Sequence, residues 1–155
     1  MPEKGDAAES RRESPTSAKF RRASAEDVRA AVLRAVRSPP RRYGSLVEFR
    51  DALLPILRRM DPKTTLGGRR LRALVVAMPG VRMEVRYTER EHATPLERCP
   101  VCGAPVRPLR NQTLTGEQVE LGYRCTRCAY WTHRKRRVPV RYSFQRAGPA
   151  RGESN

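Results

Sequence analysis

The sequence predicts an α+β protein made of two small units: a helical domain ending in a strand, then a β-hairpin domain carrying four cysteines. Disordered segments are expected at both ends. Three observations carry this expectation. Between positions 24 and 78, apolar residues recur at helical spacing behind Ser-x-x-acid signatures. A period-two run follows at Val81–Tyr87. Two Cys-x-x-Cys pairs then stand 22 residues apart. The 155 residues suffice for one domain or two very small ones. With 38% hydrophobic and 32% charged residues, against about 45–50% and about 25% in globular chains, a single large core is not expected.

Residues 1–22 mix charges, Ser, Ala and Pro, with Phe20 the only large apolar residue after Met1. Such a stretch buries too little surface to offset its ordering entropy, so it reads as a disordered arm. The first domain spans 23–88. Ser24 caps a first helix with Asp27 at the third position, and Val28, Ala31, Val32, Ala35 and Val36 form its apolar stripe. Pro39 and Pro40 end it. Ser45 and Glu48 repeat the signature for a second helix bearing Leu46, Phe49, Leu53, Leu57 and Met60, which Pro55 should kink or shorten. A third helix is expected to start near Thr65. Leu71, Leu74, Val75 and Met78 would be buried on it, with Arg69, Arg70 and Arg72 facing outward. Pro79–Gly80 turns the chain into the strand Val81–Tyr87, whose polar side carries Arg82 and Arg86. Residues 89–98 read as a linker.

The second unit, 99–146, is anchored by Cys99, Cys102, Cys125 and Cys128. Two Cys-x-x-Cys knuckles can place four thiolates about 2.3 Å from one zinc ion. A hairpin of Val106–Leu109 and Val119–Tyr123, turning at 111–118 around Gly116, fills the gap. A thioredoxin-like redox pair needs a Cys-x-x-Cys at the start of a helix, which neither pair has. Disulfides suit secretion, and iron–sulfur clusters use other spacings. Four thiolates also close the coordination shell, so the zinc is expected to be structural, and no nucleophile constellation or phosphate-cradling loop suggests an enzyme. The two histidines, His92 and His133, sit in charged surroundings. The stretch CPVCGAPVRP…GYRCTRCAYW resembles the zinc ribbons of transcription factors, ribosomal proteins and RNA polymerase subunits, with Ala129 standing where glycine is commoner. Beyond it, Val138, Val140, Tyr142 and Phe144 alternate with Pro139, Arg141 and Ser143. That strand either extends the ribbon's sheet or docks on the first domain. The tail 147–155 is expected to be disordered.

Net charge is +17, with 33 Lys+Arg against 16 Asp+Glu. The window from Arg124 to Arg137 holds no acid; it carries Arg124, Arg127, Arg134, Lys135, Arg136 and Arg137 beside Tyr123, Tyr130 and Trp131. Arginines that neutralise phosphates release counterions, and exposed aromatics stack on unpaired bases. Trp131 and Tyr123 could instead pack the small core of the second unit.

Helix, helix, basic helix and strand is the order of a winged helix-turn-helix. In combination the chain resembles stand-alone archaeal winged-helix/zinc-ribbon proteins associated with transcription. That resemblance implies a DNA-binding factor with Arg69, Arg70 and Arg72 on a recognition helix and Arg82 and Arg86 on flanking phosphates. The ribbon would add affinity or bind RNA polymerase. An RNA-binding or ribosome-associated protein is the alternative, and a protein-interaction adaptor a second. No apolar run reaches the length of a membrane span and the charged N-terminus has no apolar h-region. A cytoplasmic, nucleoid- or ribosome-associated protein without membrane contact is therefore expected.

Overall fold

A computed structural model describes residues 19–91 and 94–148. The arm expected over 1–22, the tail over 147–155 and His92 thus lie largely or wholly outside the described residues. Strand β1 (Arg21–Arg22) is followed by helix α1 (Ala25–Arg37), strand β2 (Arg42–Tyr43) and helix α2 (Leu46–Arg58). Strand β3 (Thr64–Thr65), helix α3 (Gly68–Val75) and strand β4 (Val81–Arg90) complete the first half. The second half contains β5 (Val106–Gln112), β6 (Gln118–Cys125), β7 (Trp131–Thr132) and β8 (Arg136–Arg146). No helix among the described residues is long and apolar enough to cross a membrane.

Local chemistry explains both long helices. At α1 the Asp27 N–H donates to Ser24 Oγ at 3.0 Å, and at α2 the Glu48 N–H donates to Ser45 Oγ at 3.1 Å. Each bond satisfies an otherwise orphaned donor of the first turn. Acidic Glu26 and Asp27 open α1 and basic Arg34 and Arg37 close it, both matching the helix dipole. Pro55 does not break α2, which runs on to Arg58 with the proline on its exposed side. Met60 falls beyond the helix end and is exposed rather than part of the stripe. The third helix starts later than expected: Thr64–Thr65 pairs in parallel with Arg21–Arg22, and α3 begins only after Gly67. The paired strand β1 also claims the last two residues of the expected arm.

The alternation in β4 extends to Arg90, so the strand takes the first two residues of the expected linker. Its partner is β8, which runs antiparallel to β4 on one side and β2 on the other, giving the sheet order β2-β8-β4. Residues 136–146, grouped with the cysteine unit on sequence, are therefore the middle strand of the first sheet. The cysteine unit occupies the connection between β4 and β8 and forms its own sheet, β5-β6-β7. Its turn bonds Thr113 N–H to Glu117 O at 2.8 Å and Gly116 N–H to Thr113 O at 2.9 Å.

Two cores result. Val28, Val32, Phe49, Leu53, Leu71 and Phe144 lie at the heart of the first, with the Phe49 ring stacked on Phe144 at 4.5 Å and tilted against Tyr43 at 4.8 Å. The second gathers Cys99, Val101, Cys102, Cys125 and Tyr130, and packs against Met83, Val85, Tyr87 and Tyr142 of β4 and β8. The cysteine unit thus leans on the first sheet.

Candidate metal centre

The four cysteine sulfurs lie within 4.8 Å of one another. Cys99 and Cys128 sulfurs are 3.6 Å apart, Cys102 and Cys125 sulfurs 3.5 Å, far beyond the ~2.05 Å of a disulfide. A tetrahedron with bonds of about 2.3 Å has edges of about 3.8 Å, so sulfurs at these distances fit around a single ion. Cys99, Cys102 and Cys125 are buried and Cys128 partly so.

Backbone geometry builds each knuckle. In the first, Cys99 N–H donates to Ala104 O and Gly103 N–H to Cys99 O, both at 2.8 Å. Gly103 takes φ +78°, a conformation a side chain would strain. In the second, the N–H groups of Arg127 and Cys128 point at Cys125 Sγ, at 3.3 and 3.4 Å. Ala129 has no positive φ there, so this knuckle does not need glycine. Gly122 is required for another reason: a Cβ would collide with the Thr132 carbonyl where β7 crosses β6.

The thiols are not equivalent. The Cys128 thiol donates to Cys99 and holds it down at about 5; the same contact and burial push Cys128 up. Burial pushes Cys102 up to about 11. Cys102 and Cys128 therefore hold protons at neutral pH until a metal ion displaces them. Titrating Zn2+ as the probe ion at pH 7 should release at least two protons per ion, with affinity falling as pH is lowered. Calorimetry in buffers of different ionisation enthalpy reads the number; a buffer-independent enthalpy would contradict it.

The aromatic that fills this core is Tyr130, buried, with its hydroxyl donating to Arg137 O at 2.7 Å. Trp131 is 42% exposed, its ring edge-on to exposed His133 at 4.8 Å, and Tyr123 is only partly buried. Neither is the core residue.

The basic residues divide by what they touch. Arg70 donates to Ala23 O at 3.0 Å, and Arg72 donates to Val101 O at 3.0 Å with its guanidinium 4.8 Å from the Tyr142 ring centre. Both are only partly exposed, so Arg69 alone of the α3 trio faces outward. Arg137 is wedged between Tyr87 and Trp131, at 4.1 and 4.5 Å from their ring centres. Arg136 is bonded to Thr94 O, and Lys135 pairs with Glu91 at 3.6 Å. Arg82, Arg86, Arg124, Arg127 and Arg134 are exposed. Two further exposed arginines, Arg42 and Arg141, share a depression with Arg86 and were not singled out in the sequence. Only the pairing of β2 with β8 reveals them.

Fold and site together define an α+β protein with a four-cysteine cluster able to hold one metal ion. No protein-family model, curated protein or solved structure matches the chain.

Proposed function

We propose that the chain is a nucleic-acid-binding protein with one structural zinc ion, acting on duplex DNA in association with transcription. The observation that carries this reading is uncompensated positive charge. A chain of net charge +17 forms three ion pairs among its described residues, and each involves at least one largely exposed partner. Such a surface gains affinity for a polyanion by releasing its counterions. Four thiolates suit zinc and leave no coordination position open for substrate, which supports a structural rather than a catalytic ion.

The topology supports a winged-helix reading of the first half. Helix, short strand, two helices and a three-stranded sheet ordered β2-β8-β4 are in keeping with that architecture, with the cysteine unit set into the tip of the β4–β8 hairpin. Packing of α1–α3 around Phe49 gives the first half a core of its own, as a DNA-binding domain requires. Arg69, Arg82, Arg86, Arg124, Arg127, Arg134 and Lys135 are the sequence-expected contacts with accessible side chains. Arg70, Arg72 and Arg137 brace the fold instead.

The test is binding of the zinc-loaded protein to matched duplex DNA, duplex RNA and single strands across a salt series. Neutralising four phosphates gives a log–log slope of about −3.6 on duplex DNA. A preference for RNA, or for single strands that quench the lone Trp131, would support the ribosome-associated reading. Weak, salt-insensitive binding to all three would leave a protein adaptor.

A further inference from the structure

Resting on the nucleic-acid reading, we propose that the main seat for the duplex backbone is the outer face of the β2-β8-β4 sheet, rather than α3. Arg42, Arg86 and Arg141 there take a phosphate, with Arg82 beside them. Register places these residues together. Arg86 stands opposite Arg141 across β4 and β8, while Arg42 and Arg82 both stand opposite Gln145, one from each side. Arg42, Arg86 and Arg141 line one depression of about 590 Å³, floored by Gly44, Glu84 and Ser143.

Three features distinguish this face. First, its cations are free: Arg42, Arg82 and Arg86 form no ion pair or side-chain hydrogen bond among the described residues. Glu84, the one carboxylate in the depression, accepts from Gln145 Nε2 at 3.1 Å. Second, Arg141 is held in place. Its Nε donates to Gly44 O at 2.8 Å, which leaves its terminal nitrogens as donors, and a Cβ on Gly44 would stand 3.3 Å from one of them. Third, Arg86 and Arg141 are like charges directly opposite on adjacent strands, an arrangement that costs stability until an anion sits between them. A backbone phosphate supplies that anion. By contrast, Arg70 and Arg72 of α3 are only partly exposed, Arg70 bonded to Ala23 O through a terminal nitrogen and the Arg72 guanidinium lying 4.8 Å from the Tyr142 ring centre.

The test compares the full zinc-loaded chain with its R42Q/R86Q/R141Q variant, and with a control losing charge from α1 at exposed Arg29 and Arg34. The triple variant is expected to lose about tenfold or more in duplex DNA affinity near 150 mM salt, its salt slope shallower by about 0.9 for the one phosphate given up. The control should lose less than about threefold. With the like-charge pair gone, the triple variant should melt no lower than wild type. Should it fail to fold, Ser143→Glu adds a carboxylate to the same face without removing an arginine, and the same loss is expected. A wild type that binds duplex beside triple and Ser143→Glu variants that bind equally well would overturn this surface while leaving the nucleic-acid reading intact. So would inorganic phosphate seating at these arginines with duplex affinity unmoved by the triple substitution. A wild type that binds no nucleic acid would remove both.

Discussion

Serine in place of Cys99, or of Cys128, is expected to take metal content from one ion per chain to well below stoichiometric and to unravel residues 99–132. A serine hydroxyl stays protonated near neutral pH, so the ion loses one of four charged ligands and the shell opens to water. Structural zinc sites supply about 10–16 kcal/mol of apparent binding free energy, which in a small unit is folding free energy. Five buried residues, three of them ligands, make up the centre of this unit. It has little else to fold around. The helical signal should persist, because α1–α3 pack on Phe49, Leu53 and Leu71 rather than on the cysteines. The melting temperature should still fall, since Met83, Tyr87 and Tyr142 lose their cover. Atomic emission for metal and circular dichroism for helix read the two effects separately. Unchanged metal content in both variants would refute the four-cysteine assignment.

The second large effect concerns the ring stack that ties β8 to the helices. Phe49 and Phe144 are both fully buried, their rings 24° from parallel at 4.5 Å. Phe144→Ala should cost about 3–5 kcal/mol, combining lost transfer free energy with an unfilled cavity. Against a typical total of about 5–15 kcal/mol, that is about a fifth of the stability or more. Phe144→Leu should cost under about 1.5 kcal/mol if the site relaxes around it. Phe49→Ala combined with Phe144→Ala should cost less than the two single losses together, because both empty the same contact. Urea titration of wild type, the two alanine variants and their combination forms the cycle. Strict additivity would mean that the rings do not share their energy as the geometry implies.

What could be read from the sequence was local. Ser24 with Asp27 and Ser45 with Glu48 fixed the starts of α1 and α2 because capping is settled within one turn. The spacing of Cys99, Cys102, Cys125 and Cys128 announced the metal cluster because each knuckle is a four-residue structure. What escaped reading was non-local. Thr64–Thr65 became a strand only because Arg21–Arg22 lies beside it. The alternation at 138–144 suits either sheet, and Phe144 was needed on Phe49 to choose. Arginine fates were hidden for the same reason. Nothing near Arg72 in sequence shows that Val101 O awaits its guanidinium, and nothing near Arg42 shows that it shares a depression with Arg141.

The position of β8 also dictates an order of events during synthesis. Tyr43 meets Phe144 across about a hundred intervening residues, so the middle strand of the first sheet is translated well after the strand β2 it pairs with. At about 5–20 residues per second, the emerging helices wait roughly 5–20 s with the Phe49 ring uncovered. All four cysteines precede β8, and an ion captured by them draws the ends of β4 and β8 toward each other, reducing the loop that must close. An ion bound there would thereby shorten the time for which the helices stay uncovered once β8 has emerged.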